Sequence, residues 1–137
     1  MLRILIIDRD PDTTDALSHV FELEGWKSES VPDPDEALSL LERNGSYDVV
    51  LLEVSLPLAA GLAFVREKGR RPAIAAIPVV AMTSDVGVPE TLAGVAWVLR
   101  KPFSIGFAMA ALCHAAAYGL QGGLPPLPPS REHAEKA

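Results

Sequence analysis

Residues 47–53 read Tyr47-Asp48-Val49-Val50-Leu51-Leu52-Glu53, an acidic residue directly after an apolar run. Apolar side chains at consecutive positions are typical of a strand that is buried on both faces, as in a parallel sheet covered by helices. Three more runs rich in Ile, Val and Leu have the same pattern, at residues 2–7, 79–82 and 96–99. We therefore predict four buried strands, with residues 26–31 as a more polar edge strand.

Helix patterns with recognisable ends separate the first strands. Asp10 and Asp33 are each followed by proline, which is the pattern of an N-cap and a first helical position that needs no backbone donor. Gly25 and Gly45 are placed where the two helices would end. The sequence therefore predicts a helix after the first strand and another after the second.

The remaining helices are less uniform. Residues 61–69 predict a short third helix, and residues 104–118 the last and longest one. Between residues 84 and 94, two glycines and a proline leave room for barely two turns, so we expect a weakened fourth helix. The alternation of strands and helices predicts an α/β fold, a doubly wound five-stranded parallel sheet with right-handed crossovers.

Composition limits the classes of protein that fit. The chain has 137 residues, which suits one domain, and we place it at residues 2–119, followed by a flexible Gly/Pro-rich tail at residues 120–137. Twelve Lys and Arg against 18 Asp and Glu give a net charge of −6, which argues against nucleic-acid binding. A single cysteine, Cys113, excludes a disulfide framework and fits a cytoplasmic protein. The three histidines have no metal-ligand spacing.

One segment needs a test against a membrane span. Residues 102–120 carry no charge and follow Arg100 and Lys101, as a span with positive flanks would. Much of this segment is alanine, however, so its hydrophobicity is weak for a span. We predict a helix of the folded domain and no membrane association.

Polar residues end the apolar runs. Asp8, Glu53, Thr83 and Lys101 each stand at or directly after the end of a predicted strand. In open α/β sheets, ligand chemistry gathers at the carboxyl ends of the strands. We therefore expect these four side chains to form one site.

These residues and their spacing resemble the receiver domain of bacterial two-component response regulators, over about residues 2–118. The resemblance implies the flavodoxin-like (βα)5 fold of that family. It also implies a role for each motif: Leu5-Ile6-Ile7-Asp8 begins the acidic pair, Glu53 stands at the phosphoacceptor position, Leu56-Pro57 with Gly61 forms the following loop, Thr83 is the switch, and Lys101 precedes Pro102, usually a cis-proline in the family.

Three departures from that family bear on function. Glu53 replaces the aspartate acceptor, Arg9 replaces the second member of the acidic pair, and Val98 replaces the aromatic switch. A standard receiver site has three carboxylates and one lysine, a net charge of minus two that Mg²⁺ balances. Here Asp8 and Glu53 are offset by Arg9 and Lys101, and counting Asp10, the expected helix cap, leaves only minus one.

This charge balance argues against magnesium-dependent phosphorylation. Mg²⁺ requires a tight set of oxygen ligands, and a permanently charged guanidinium repels it. We expect weak or absent Mg²⁺ binding, no other cofactor, and an ion pair in which Arg9 or Lys101 holds Glu53. The sequence therefore favours a pseudo-receiver that is not an enzyme and acts through protein partners such as a histidine kinase or an effector.

Two alternatives remain. The chain could be a receiver that is phosphorylated through its altered acceptor, in a phosphorelay. It could also be a small haloacid-dehalogenase-like phosphatase, with Asp8 as nucleophile and Asp10 as general acid. Against the phosphatase, Asp12 stands where that family has a threonine, and no downstream acidic pair is apparent.

The last helix predicts an interface. Residues 104–130 contain no Lys, Arg, Asp or Glu, although a helix on a sheet normally has a polar outer stripe. An exposed apolar surface usually marks a protein contact. We predict a partner or a homodimer through this helix, with the tail folding over it as the alternative. The candidate contact residues are Ile105, Phe107, Met109, Leu112 and Tyr118.

Overall fold

A computed structural model describes residues 1–119. Its five strands form one parallel sheet in the order β2-β1-β3-β4-β5, which is the predicted doubly wound, flavodoxin-like topology. The predicted tail, residues 120–137, lies outside the described residues. The elements are β1 (Arg3–Ile7), α1 (Pro11–Leu23), β2 (Lys27–Val31), α2 (Pro34–Arg43), β3 (Val49–Glu53), α3 (Ala59–Gly69), β4 (Val79–Thr83), β5 (Trp97–Arg100) and α4 (Ile105–Tyr118).

The central strands are buried on both faces, as their apolar runs predict. Leu5 of β1 pairs with Val50 of β3, and both pack with α2 and α3. Their neighbours Ile4 and Val49 also pair, and they pack with α1 and α4 on the opposite face. Because successive residues of a strand face opposite sides, each strand contributes to both cores. β2 is the predicted polar edge strand, with no fully buried residue.

The first two helices begin at the predicted caps. Oδ1 of Asp10 accepts a hydrogen bond from the backbone N–H of Asp12 at 3.0 Å. Oδ1 of Asp33 accepts one from the N–H of Glu36, also at 3.0 Å. Each bond satisfies a donor that the first turn of a helix leaves without an intrahelical partner. Asp10 is therefore the last residue of the connection after β1 and the N-cap of α1. It lies at the edge of the predicted site.

The weakened fourth helix is not formed. Residues 84–96 contain turns and bends but no helix, because the glycines and the proline interrupt any longer run of helical backbone. The segment still covers the sheet: Val88 is 1% exposed, and Leu92 and Val95 pack against the same core. Within the described part of the chain, four helices therefore accompany the five strands.

One prediction about α4 is wrong. Leu112 is fully buried in the core between α4 and the sheet, so it is a core residue and not an interface residue. In an alanine-rich helix, the buried face is difficult to assign from the sequence, since polar and apolar positions hardly contrast. Ile105 and Tyr118 are exposed, at 38% and 62%.

The other two candidates on α4 are half-buried. Phe107 packs edge-on against Trp97 of β5, with ring centroids 6.0 Å apart, and Met109 borders the same core. No helix in residues 1–119 is long and apolar enough to cross a membrane.

Candidate functional site

The parallel sheet brings the predicted site residues to one edge. Asp8 follows β1, Glu53 ends β3, Thr83 ends β4 and Lys101 follows β5. The backbone N–H of Lys101 donates to the carbonyl of Thr83 at 2.7 Å, which fixes the ends of β4 and β5 beside each other. Glu53, Asp8 and Arg9 line a cleft of about 170 Å³. Of the four expected side chains, Asp8 and Glu53 therefore share this cleft, and Lys101 lies beside Asp8.

Asp8 is the most buried charged group of this site, at 9% exposure. Its Oδ1 accepts the backbone N–H of Asp10 at 3.0 Å. Its Oδ2 is buried and has no hydrogen-bond partner among residues 1–119, and Nζ of Lys101 lies 3.8 Å from it. Lys101 thus offsets the negative charge of Asp8. The separation of 3.8 Å is longer than that of a good charge-assisted hydrogen bond.

Glu53 is half-buried at the end of β3. Burial raises the pKa of its carboxyl above the usual value, the negative charge of Asp8 raises this pKa further, and Lys101 lowers it. Within the described structure, the ion pair of the site joins Lys101 to Asp8. Neither Lys101 nor Arg9 forms an ion pair with Glu53, so the pairing expected from the sequence is absent.

Arg9 is exposed and lies at the mouth of the cleft. It lines that cleft together with Asp8 and Glu53, and it also borders the groove between α2 and α3. Its guanidinium has no hydrogen bond or ion pair with another described residue. Arg9 therefore adds positive charge at the rim without holding a carboxylate.

Asp10 belongs to the helix cap. In addition to the bond from Asp12, its Oδ2 accepts the hydroxyl of Thr13 at 2.8 Å. These hydrogen bonds, first that from the Thr13 side chain, lower the pKa of Asp10. Because both oxygens are already engaged, Asp10 is not a free carboxylate of the site.

The switch positions are built into the strands. Thr83 is fully buried, and its Oγ1 accepts the backbone N–H of Asp85 at 3.0 Å. Val98 packs on the core side that contains α2 and α3, whereas its neighbour Trp97 packs on the opposite side, because successive residues of a strand face opposite ways. The Lys101–Pro102 peptide bond is cis.

Sequence reasoning missed Asp85 and Arg100. The carboxylate of Asp85 accepts the backbone N–H groups of Leu56 and Gly87 at 3.1 and 2.9 Å. The guanidinium of Arg100 donates to the carbonyls of Asp85 and Val88. An aspartate two residues before a glycine is the usual pattern of a side chain that caps a turn, and this signal marks Asp85 in the sequence.

The family resemblance implies magnesium, and the donor set does not fit it. Asp8 and Glu53 supply carboxylates, but Asp10 is engaged in the cap and Arg9 stands in the remaining acidic position. The free oxygen of Asp8 already faces the ammonium of Lys101. No group of three or more metal-binding side chains occurs in residues 1–119. Mg²⁺ prefers a near-octahedral set of oxygens, and this site offers two carboxylates opposed by two cations.

Comparisons with known proteins agree with the fold. Protein Rrf1 of Nitratidesulfovibrio vulgaris is 27% identical over 120 residues, which cover 88% of this chain and 86% of Rrf1. The response regulator SaeR of Staphylococcus aureus is 30% identical over 108 residues, 76% of this chain and 46% of SaeR. The chain thus spans about half the length of SaeR.

Solved structures show the same architecture. The receiver domain of the sensor histidine kinase PA1611 from Pseudomonas aeruginosa, which has magnesium coordinated in its cleft, is 24% identical. It superposes with a TM-score of 0.73, covering 85% of this chain and 98% of that one. A receiver domain protein from Clostridium thermocellum is 25% identical, with a TM-score of 0.73, covering 85% and 95%.

The sequence model of the response regulator receiver domain matches residues 4–112. This span runs from Ile4 of β1 into α4 and includes the four strand-end residues of the site. The chain therefore belongs to the response regulator receiver domain family and is a receiver domain of two-component signalling.

Proposed function

We propose that this chain is an atypical receiver that acts through protein contacts and does not undergo magnesium-dependent phosphorylation of an aspartate. One observation carries the proposal: the site has a glutamate at the acceptor position and only two carboxylates outside the helix cap, Asp8 and Glu53, whose charge Lys101 and Arg9 offset. Phosphoryl transfer depends on positioning and on neutralising the transferred oxygens, largely by the metal. A site that holds the metal poorly has lost the larger part of that stabilisation.

The acceptor itself is also altered. Glutamate is longer than aspartate by one C–C bond, about 1.5 Å, so its carboxylate reaches a different point above β3. This change opposes transfer in the same direction as the missing metal ligand.

The partners follow from the family. Receiver domains interact with histidine kinases and effectors, and we propose that this chain is a non-enzymatic, cytoplasmic member that binds such proteins. The exposed part of α4 is the proposed contact, with a second copy of the chain as one occupant. α4 contains no charged residue, so two copies can approach each other there without like-charge repulsion, and Ile105 and Tyr118 supply exposed apolar area.

The test is incubation with Mg²⁺ and acetyl phosphate, followed by intact-protein mass spectrometry. We expect no increase by a phosphoryl group in the parent chain. A phosphorylated species that disappears in the Glu53→Gln variant would contradict the proposal and favour the phosphorylatable receiver.

The phosphatase alternative has its own control. Turnover of a generic phosphate ester with Mg²⁺ that is abolished by Asp8→Asn would favour an enzyme. Asp10, the general acid of that alternative, is engaged by Asp12 and Thr13 at the start of α1. We therefore expect no turnover above that of the Asp8→Asn variant.

A further inference from the structure

Residues 84–96, which we call the strap, connect β4 to β5 without a helix. Three of its apolar side chains, Val88, Leu92 and Val95, pack against the core on the side of α2 and α3. A helix would hold its own backbone through internal hydrogen bonds. The strap lacks that internal ladder, so its attachment depends on contacts with the rest of the domain.

Asp85 attaches the strap to the loop after Glu53. Its Oδ2 accepts the N–H of Leu56, which lies in that loop, at 3.1 Å. Its Oδ1 accepts the N–H of Gly87, inside the strap, at 2.9 Å. One carboxylate therefore shapes the turn of the strap and also binds it to the segment that follows the acceptor position.

Side chains at the ends of β4 and β5 also form hydrogen bonds with the backbone of the strap at or near Asp85. Oγ1 of Thr83, at the end of β4, accepts the N–H of Asp85. Arg100, at the end of β5, donates from Nη1 to the carbonyl of Asp85 at 3.4 Å and from Nη2 to the carbonyl of Val88. The strap is thus fastened near Asp85 by groups from the loop after β3, from the end of β4 and from the end of β5.

These same strand ends carry the candidate site. Leu56 follows Glu53 by three residues, Thr83 is the switch position, and Arg100 directly precedes Lys101. A shift of any of these strand ends changes a hydrogen bond of the strap. Conversely, release of the strap removes a restraint from the loop beside Glu53.

We propose that Asp85 is a latch, which holds the strap closed against the domain and against the loop that follows Glu53. Release frees residues 84–96 to leave the core locally, without unfolding the sheet, because local openings cost less than global unfolding. The latch works whether or not Glu53 accepts a phosphoryl group, so it stands apart from the proposed function.

Native-state hydrogen exchange followed by mass spectrometry tests the latch. Removal of hydrogen bonds to a charged group is expected to speed exchange at the affected amides by about tenfold or more. In Asp85→Ala we expect this acceleration in peptides covering residues 84–96 and at the amide of Leu56. Peptides from β1 and α1 should keep their parent rates.

Asp33→Ala is the matched control. It removes another aspartate whose carboxylate accepts a backbone N–H, at the start of α2, and it should accelerate exchange in α2 without affecting the strap. Arg100→Gln should accelerate the strap as Asp85→Ala does, and Asp85→Asn, which retains an acceptor oxygen, should have a smaller effect.

Two results would overturn the latch. One is a strap whose exchange rates are unchanged in both Asp85→Ala and Arg100→Gln. The other is acceleration of all peptides to the same extent, which would indicate a general loss of stability. If Asp85→Ala does not fold, Asp85→Asn and Arg100→Gln carry the same comparison.

Discussion

The ammonium of Lys101 lies 3.8 Å from Oδ2 of Asp8, and this is the buried oxygen of Asp8 that accepts no hydrogen bond within residues 1–119. The side chain of Asp8 is only 5% exposed, whereas that of Lys101 is 27% exposed. A buried carboxylate is costly unless an opposite charge compensates it. Lys101 therefore stabilises the folded state mainly by offsetting the burial of Asp8.

The first prediction concerns a variant that removes the positive charge beside Asp8. Lys101→Met should lower the free energy of unfolding by about 1–3 kcal/mol, because it leaves a buried charged acceptor without a partner. Urea denaturation at neutral pH measures the loss. Adding Asp8→Asn should recover part of it, since the neutral amide no longer needs a cation. A double variant whose loss equals the sum of the single losses would contradict the coupling.

The second prediction concerns the pH dependence that Glu53 contributes. The pKa of Glu53 is raised in the folded state from its ordinary 4.5, so the folded protein binds this proton more tightly than the unfolded chain does. The free energy of unfolding therefore falls as the pH rises from about 4.5 through the raised pKa of the folded state. Glu53→Gln removes this component.

The measurement is urea denaturation of the parent and Glu53→Gln at several pH values. We expect the variant to gain stability relative to the parent as the pH rises above 4.5, the ordinary pKa of Glu53. The lowered pKa values of Asp10 and Asp85 act below their ordinary 3.8, so they do not obscure this window. A stability difference that is constant across the window would contradict the raised pKa of Glu53.

The sequence predicts the strands, and the edge of the sheet at which the site lies, because both depend on local patterns. Four consecutive apolar residues before Glu53 require burial on both faces, and Asp10 and Asp33 each cap a helix through their own side chain. Parallel strands then bring their carboxyl ends together whatever the details of packing. The positions of Asp8, Glu53, Thr83 and Lys101 follow from these rules.

Side-chain partners are harder to predict than strand ends. The sequence places Lys101 near two carboxylates but does not distinguish Asp8 from Glu53, since the choice depends on distances between strands. The prediction of Leu112 as an interface residue is wrong for a different reason. Alanine is compatible with either face of α4, so no polar stripe in the sequence indicates which face of the helix packs against the sheet. Asp85 and Arg100 act through backbone groups, which leave no pattern of complementary side chains.

The third prediction separates the core of α4 from its surface. Leu112 is fully buried, so Leu112→Ala should lower the free energy of unfolding by about 2–5 kcal/mol through lost apolar burial and a residual cavity. Tyr118 is 62% exposed, and Tyr118→Ser should change the stability of the monomer by less than about 0.5 kcal/mol. Thermal or urea denaturation of the two variants side by side gives the comparison. Similar losses in both would contradict the burial pattern of α4.

The fourth prediction concerns self-association through the same helix. Ile105→Glu and Tyr118→Glu each place a charge on the exposed part of α4, and in a symmetric dimer like charges from two copies would meet there. Light scattering after size-exclusion chromatography should show a dimer for the parent and a monomer for the variants. Glu42→Gln, on the exposed part of α2, is the control and should leave the mass unchanged. A monomeric parent chain would contradict the proposal that a second copy of the chain binds this surface.

The fifth prediction concerns a variant that carries the acidic residues of the family's divalent-ion site. Arg9→Asp combined with Glu53→Asp would provide the acidic pair and the acceptor that the family pattern contains. Changing the charge beside a divalent ion by two units, at about 5 Å, is worth about 3 kcal/mol even at the dielectric constant of water. We therefore expect the double variant to bind Mg²⁺ more than about tenfold more tightly than the parent, as measured by isothermal titration calorimetry.

Single variants identify which change matters. If the cation at the rim is the main obstacle, Arg9→Asp alone should recover most of the affinity, whereas Glu53→Asp alone should recover little, because Arg9 would still repel the ion. Asp8→Asn in the double variant should abolish binding, since it removes the buried carboxylate whose Oδ2 has no hydrogen bond in the described structure. Tight Mg²⁺ binding by the parent chain would show that Arg9 and Lys101 do not neutralise the site, and the case for a metal-independent receiver would fail with it.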